Sequence, residues 1–589
     1  MIVPMEKVTV LCLAADQDRT LHVLRDLGVL HVSHSVAPEG ADIEEARGRL
    51  GRIERALELL PHGKVATPAD TDPATVVDAI EVEVRRSNEI SGELRELRAL
   101  HDRYEPFGSF DPEDAECLAR HSLPVQLFKA PAGHPLPNIK DAPLLVLRRD
   151  RSGLYFAVVG MVLVNDPAVE HVPLPPLPLR ELDEEIARLD QELRACEMRI
   201  ADHADSLPRV EALAEEVRAE IRFLEARSGM GARKPVVFLR GFCPQRQVER
   251  IRALAAEHGW GLLVEPLRPG ETVPTQLENA GWVRPIKAVF DFIGVLPGYW
   301  EVDISAFFLI FLTLFFAMIV GDGGYGALFL AFTLVGRALA PGVMKKPLYP
   351  LLLIMSIATI GWGLLTGNFF GITVEALPAP LRALRIEWLS PEANMMQLCF
   401  LIGAIHLTLA RAWGVLLNRG KLTALAHAGW ICTTWTMFAL ANAMVLGKEF
   451  PTIMLWVLGV GILLIALFMT PFKEFKTQWV NHAMLPLNLI GNFVDVVSYV
   501  RLFAVGIATF SVATAFNEMA AGFGWGSIVS SAAAALILFF GHTLNILLAA
   551  MGVLVHGVRL NTLEFSGHLG LTWSGVPYEP LARKGGSTS

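Results

Sequence analysis

The chain opens with short patterned segments. Residues 5–13, MEKVTVLCL, read as a strand. A helix follows through Leu21, Leu24 and Leu27, closed by Gly28, and VLHVS reads as a second strand. Apolar residues then step by three and four: Ile43, Ala46, Leu50, Ile53, Leu57 and Leu60. A further helical stretch carries Ile90, Leu94, Leu97 and Leu100. The stepping returns after residue 180 with Leu182, Ile186, Leu189, Leu193, Cys196 and Ile200, and Val210, Leu213, Val217, Ile221 and Leu224 continue it past Pro208. A seam of period 3.5 needs a partner helix to bury it. The early and late stretches are therefore expected to pair as an antiparallel coiled-coil arm, with residues 105–180 as a lobe at its far end. A set of separate amphipathic core helices is the plainer alternative. Residues 235–265 read as strand, turn, helix and strand, a second α/β lobe next to the membrane.

Beyond residue 300 the pattern turns almost wholly apolar. Eight spans are expected, at about 304–320, 323–340, 349–372, 396–416, 424–446, 452–472, 482–519 and 527–562. With the first half in the cytoplasm, the inside connections hold Arg337, Lys345, Lys346, Arg411, Arg419, Lys421, Lys473, Lys476, Arg583 and Lys584. The outside connections hold Arg382, Arg385 and Lys448. That bias favours eight spans with both termini cytoplasmic. A single helix over 482–519 would reach ~57 Å at 1.5 Å per residue, against a hydrocarbon core of ~30 Å. The last two spans must tilt, kink or project into water, and Pro486, Gly491 and Gly506 offer bends in the first of them.

Charge sharpens the division. Residues 1–300 hold 36 Lys and Arg against 48 Asp and Glu; residues 301–589 hold 15 against 12. The two domains expected are 1–300, soluble and acidic, and 301–589, in the lipid bilayer. A single soluble fold is excluded, and with no basic stretch to make a phosphate footprint no nucleic-acid partner is expected. The first apolar run is too short for a span, and no signal peptide is expected. The six cysteines are scattered without a CxxC pair, which suits a reducing compartment. His31, His34 and His62 have no metal-ligand spacing. No P-loop or GxGxxG follows a strand, and no cofactor is expected.

Arg501 stands out. It lies in NFVDVVSYVRLFAVGIATFSV, with no acid between Asp495 and Glu518. A guanidinium at mid-membrane costs about 2.5–3.5 kcal/mol on insertion scales and keeps its proton. Ser498, Ala504, Val505 and Ala508 on its face leave room for a neighbouring helix. A pairing with Asp495, six residues away, is poor within one helix. Arg559 is the second intramembrane cation, with His556 before it and Glu564 five residues on. Polar groups gather in these two spans, among them Asp495, Ser498, Tyr499, Thr509, His542, Asn545 and His556. They are satisfied either by a water-filled path or by bonds between helices.

SYVRLFAVGIA, the second arginine in HGVRLNTLEF and the terminal GVPYEPL resemble the large membrane stator subunit of rotary V-type and A-type ATPases, called subunit a or subunit I. PTQLENAGWVRPIK, GYWEVDIS, MIVGDGGYGALF, GNFFGIT and His406 are similar as well. The resemblance implies cytoplasmic α/β lobes joined by a coiled-coil arm, then an all-α polytopic membrane domain with two long tilted helices. It implies a non-catalytic subunit in a bacterial inner (plasma) membrane, with the ATP chemistry on other subunits. The implied partners are a rotor ring of small membrane subunits, each with an essential carboxylate, and peripheral stalk subunits on the N-terminal lobes. The implied path for protons or sodium ions runs through two offset half-channels. Arg501 would face the ring carboxylate and Arg559 would support it. Asp495, Ser498, Tyr499, Thr509, His542, Asn545, His556 and Glu564 are the candidate lining. Thr509 stands where eukaryotic relatives place a histidine. Leu487 and Asn488 stand where many relatives carry a glutamate, and Ala549 replaces an acid ten residues before Arg559.

The competing reading is a secondary transporter with a cytoplasmic coiled-coil regulatory domain. It calls for paired halves with matching broken helices, and no such repeat is visible. A plain membrane anchor leaves the cost of Arg501 unexplained.

Overall fold

The computed structural model describes residues 1–61, 71–137, 142–162, 164, 166–233, 235–342, 344, 347–372, 374–470, 479–524 and 526–583. His62, Lys345, Lys346, Lys473, Lys476 and Lys584 lie outside the described residues. The chain divides into two compact units. One holds Thr9–Gly241, Leu254–Leu263 and Pro580–Ser589; the other holds Met1–Val8, Phe242–Ala253 and Val264–Glu579.

The first unit begins as patterned: β1 (Met5–Leu13), α1 (Gln17–Leu27) and β2 (His31–Ser33). Gly28 ends α1 at φ 65°, the left-handed turn that glycine adopts without strain. Next come α2 (Ala41–Leu59) and α3 (Pro73–Tyr104). Then follow α4 (Pro112–Arg120), β3 (Val125–Ala130), β4 (Leu144–Arg149), β5 (Leu154–Val159) and β6 (Glu170–Val172), a sheet of order β4-β5-β3-β6. The chain returns through α5 (Leu179–Ala201) and α6 (Leu207–Ser228). Pro208 starts α6 rather than interrupting it, because the first turn needs no proline N–H. Helix α3 packs on α5 and α2 on α6. Ile53, Ala56, Val210 and Val217 are buried together, as are Ile90, Leu94, Leu189 and Cys196. Ion pairs Arg49–Glu220 and Arg218–Glu54, each at 2.7 Å, mark an antiparallel register. Arg199–Glu83 and Arg86–Glu192, each at 2.8 Å, do the same for the other pair. The chain continues through β7 (Gly231–Arg233), β8 (Val236–Pro244), α7 (Val248–His258) and β9 (Gly261–Glu265), in a sheet of order β2-β8-β1-β9 with β7 along β8; the division between the units cuts through β1, β8, α7 and β9.

The second unit carries β10 (Pro274–Thr275) and α8 (Lys287–Ile293), then the apolar helices. These are α9 (Ser305–Val320), α10 (Gly323–Leu339), α11 (Leu348–Thr366), the short α12 (Ala379–Ala383), α13 (Glu392–Leu417), α14 (Thr423–Leu446) and α15 (Ile453–Phe468). After them come α16 (Trp479–Ala483), α17 (Leu485–Ser498), α18 (Val500–Phe523), α19 (Ile528–Gly552), α20 (Ser566–Leu569) and β11 (Val576–Pro577). Among the described residues, five stretches are long and apolar enough to cross a membrane: α11, α13, α14, Leu485–Phe523 and Ile528–Leu569. Helices α9 and α10 form a pair bent by 119°, and α15 is a shorter apolar helix.

The corner between α9 and α10 explains its glycines. Asp322 accepts from the Gly324 and Tyr325 N–H groups at 2.7 and 3.1 Å and so caps α10. A Cβ on Gly363 would lie 2.2 Å from the Gly323 nitrogen, so only glycine lets α11 approach the corner. The bends expected at Pro486, Gly491 and Gly506 are replaced by one interruption at Tyr499, between α17 and α18. Pro486 sits harmlessly in the first turn of α17. A Cβ on Gly506 would lie 2.7 Å from the Met318 carbonyl, so that glycine serves close packing instead.

The last span runs on through two π-turns, Val553–Gly557 and Leu560–Phe565, into α20. Glu301 fastens the segment beyond α20. It accepts from the Thr572 N–H and hydroxyl at 2.6 Å each, and from the Gly298 N–H at 2.7 Å. Burial would raise its pKa, but these bonds outweigh burial and hold it below the usual glutamate range. Strand β11 then lies parallel to β10.

Candidate functional site

Arg501 is the second residue of α18, and the last span supplies its partner. Its Nε donates to the Ser498 carbonyl at 2.9 Å, and its Nη2 donates to Glu564 Oε1 at 2.6 Å. Arg559 Nε stands 3.6 Å from the same oxygen. The Glu564 side chain is 5% exposed and that of Arg501 22%, while Arg559 is 53% exposed. Two cations therefore share one buried carboxylate, and Arg559 reaches the depth of Arg501. The π-turn makes this possible. At α-helical pitch, residues five apart point about 140° away from each other. The wider turn over Leu560–Phe565 bonds i to i+5 and brings Glu564 round to the face of Arg559.

Glu564 borders a cavity of about 430 Å³, lined also by Asn488, Asn492, Asp495, Arg411 and His568. Arg411 Nε donates to His568 Nδ1 at 3.0 Å, and His568 Nε2 lies 2.9 Å from Asp495 Oδ2. The Arg411 guanidinium lies over the Trp430 ring, 5.0 Å from its centre. Arg411, counted in the sequence among the inside connections, is no loop cation: α13 extends past it to Leu417.

A second cavity of about 290 Å³ is lined by Leu502, Phe503, Gly506 and Phe510 of α18, with Met318, Arg385, Glu392 and Met395. Met395 and Arg411 are 16 residues apart on α13, about 24 Å at helical rise. The two cavities therefore sit at opposite ends of α13. Arg501 falls between their contributions, after Asp495 and before Leu502.

The remaining candidates line neither cavity. Ser498 gives its carbonyl to Arg501. Tyr499 is fully buried and bonds His406 Nδ1 at 2.8 Å; that ring is stacked between Phe311 and Phe565. Asn545 donates to the Tyr325 hydroxyl at 3.0 Å and to the Thr509 carbonyl at 2.8 Å. His542 bonds the same tyrosine through Nδ1 at 2.7 Å, and Asn517 Oδ1 at 3.2 Å through Nε2. The His556 Nδ1 is buried without a partner among the described residues. Most of these groups thus bond between helices. The sequence reading missed Arg411 and His568, whose signal was one cation and one histidine near the ends of apolar stretches.

No family model matches the chain. It is similar to the V-type ATP synthase subunit I 1 of Treponema pallidum (strain Nichols), at 31% identity over 99% of this chain and 100% of that protein. It is 26% identical to the V-type ATP synthase subunit I of Borreliella burgdorferi, over 99% and 100% of the two chains. It is 25% identical to the A-type ATP synthase subunit I of Methanocaldococcus jannaschii, over 65% and 61%.

Proposed function

Since the chain belongs to the V-type and A-type ATP synthase subunit I family, we propose that it is the stator half of an ion path whose other half is a rotor ring. It is a membrane subunit of a rotary ATPase, and the ATP chemistry lies on other subunits. The observation that carries this reading is Arg501, paired with Glu564 in an apolar span between two separate cavities.

A ring carboxylate arriving at Arg501 competes with Glu564 for the guanidinium. A fixed cation within about 4–6 Å favours the charged form of a carboxylate, so the ring site releases its proton or sodium ion there. The cavity at the Asp495 end and the cavity at the Phe510 end act as the two offset half-channels. Ions cross between them only by riding the ring, because the fixed charge of Arg501 blocks direct passage. Arg559 supports the interface through the shared Glu564. The helix pairs α2–α6 and α3–α5 form a coiled-coil arm, and the lobes of residues 1–300 bind peripheral stalks, so that residues 301–589 stay fixed against the turning ring. The protein lies in the plasma membrane with both termini cytoplasmic.

Co-purification tests this reading. A tagged chain extracted in mild detergent is expected to bring down a small apolar ring subunit and an ATP-hydrolysing head. Elution alone, with ion or solute transport retained, would favour the transporter reading.

A further inference from the structure

We propose that Asp495 is the proton-accepting carboxylate of the cavity at its end of α13, and that Arg411 and His568 are positioning residues that fix its orientation. The inference rests on the ion-path reading and deepens it by naming the ion, a proton, and the group that takes it.

Donors and acceptors fix where the protons sit. A guanidinium Nε–H can only donate, and arginine does not lose its proton. The bond from Arg411 Nε at 3.0 Å therefore requires a lone pair on His568 Nδ1. The ring proton must then sit on Nε2, which donates it to Asp495 Oδ2 at 2.9 Å. One fixed cation thus sets the imidazole tautomer, and the tautomer presents a donor to the carboxylate.

Among the described residues, Asp495 and Glu564 are the carboxylates lining the cavity. Glu564 has Oε1 engaged by Arg501. Among the described residues Asp495 binds through Oδ2, and its side chain is 33% exposed, which leaves Oδ1 for water or hydronium. Among the described residues, the charged and titratable groups around it are His568 and Glu564 from the last span, Arg411 from α13, His427 behind Arg411 on α14, and Tyr499 and Arg501 beyond the break after α17. In ATP-driven pumping a proton from cavity water binds Oδ1 of Asp495 and passes on to the ring carboxylate; in the synthesis direction the same step runs in reverse. The His568 proton stays in place, because Arg411 occupies the nitrogen that would have to be refilled. Two guanidiniums near the cavity disfavour a resident metal cation, whereas a proton passes as a covalent O–H.

The test uses the assembled complex in vesicles, reading ATP-driven acidification with a pH-sensitive dye beside the ATPase rate. D495N is expected to lower uptake at least about tenfold at matched assembly, the scale of losing a proton-transfer group, and D495E to recover part of it. H568L removes both bonds of the chain and is expected to lower uptake. H568Q, whose amide accepts from Arg411 and donates to Asp495, is expected to restore most of that loss. Uptake near wild type in D495N overturns the proposal. So does equal loss in H568L and H568Q, which would make the imidazole itself the carrier. R501A separates the two levels. Uptake lost in R501A but kept in D495N sinks this inference alone, whereas uptake kept in R501A sinks the ion-path reading beneath it.

Discussion

Arg501→Ala is expected to abolish ATP-driven ion uptake while leaving the complex assembled. The side chain is 22% exposed and makes one charge-assisted bond, to Glu564, and one to a backbone carbonyl. Its removal leaves Glu564 with Arg559, still within reach at 3.6 Å, so the fold keeps a counter-charge. On the proposed mechanism, the interaction with a ring carboxylate has no such substitute. Two unit charges 4 Å apart attract by about 4 kcal/mol at an effective dielectric constant of 20, and each 1.4 kcal/mol is about tenfold. The expected loss in uptake is roughly a hundredfold or more. Arg501→Lys is expected to recover little, because a lysine point charge cannot hold the Ser498 carbonyl and a carboxylate in the same fork. Vesicle uptake at equal subunit content is the measurement.

Glu564→Gln is expected to act in the opposite sense on the same contact. The glutamine keeps the shape of the side chain and loses its charge. Arg501 then has no competitor when the ring carboxylate arrives, and the ring site is held longer at each step. Coupled hydrolysis and uptake should fall together, by about tenfold for each 1.4 kcal/mol by which that contact tightens. The extracted protein should also be less stable, by about 3 kcal/mol, the lower end of the cost of breaking a buried pair. Arg559 adds little to that figure, since it is half exposed. Parallel ATPase and thermal-unfolding measurements check both effects. A variant that hydrolyses ATP at the wild-type rate would remove Glu564 from the contact.

The parts of this structure that were readable in the chain share one property: their cost or periodicity is local. A guanidinium in an apolar run is visible without knowing its partner, and so Arg501 stands out. The seams through Ile53 and Val217, and through Leu94 and Leu189, are equally local, as is the strand at residues 5–13. The hidden parts depend on pairing across distant segments. The interruption at Tyr499 is set by packing, including the bond to His406, and not by the proline or glycines that the span contains. Glu564 faces Arg559 only because the helix widens into a π-turn, and i+5 spacing in a sequence argues against such a contact. Arg411 and His568 sit at the edges of apolar stretches, where span limits are uncertain by several residues. Thr509, His542 and Asn545 find bonds to neighbouring side chains and carbonyls, and polarity alone does not show which partner a group will meet.

The stator mechanism stands or falls on two water-filled cavities that approach Arg501 from opposite faces of the membrane without joining. Single cysteines in a background cleared of the native six put this to the test. Gly491→Cys samples the cavity at the Asp495 end, and Ile507→Cys samples the cavity at the Phe510 end. A membrane-impermeant thiol reagent is applied to sealed vesicles of each orientation. Gly491→Cys is expected to react only from the cytoplasmic face and Ile507→Cys only from the other. Labelling of both positions from one face would overturn the mechanism.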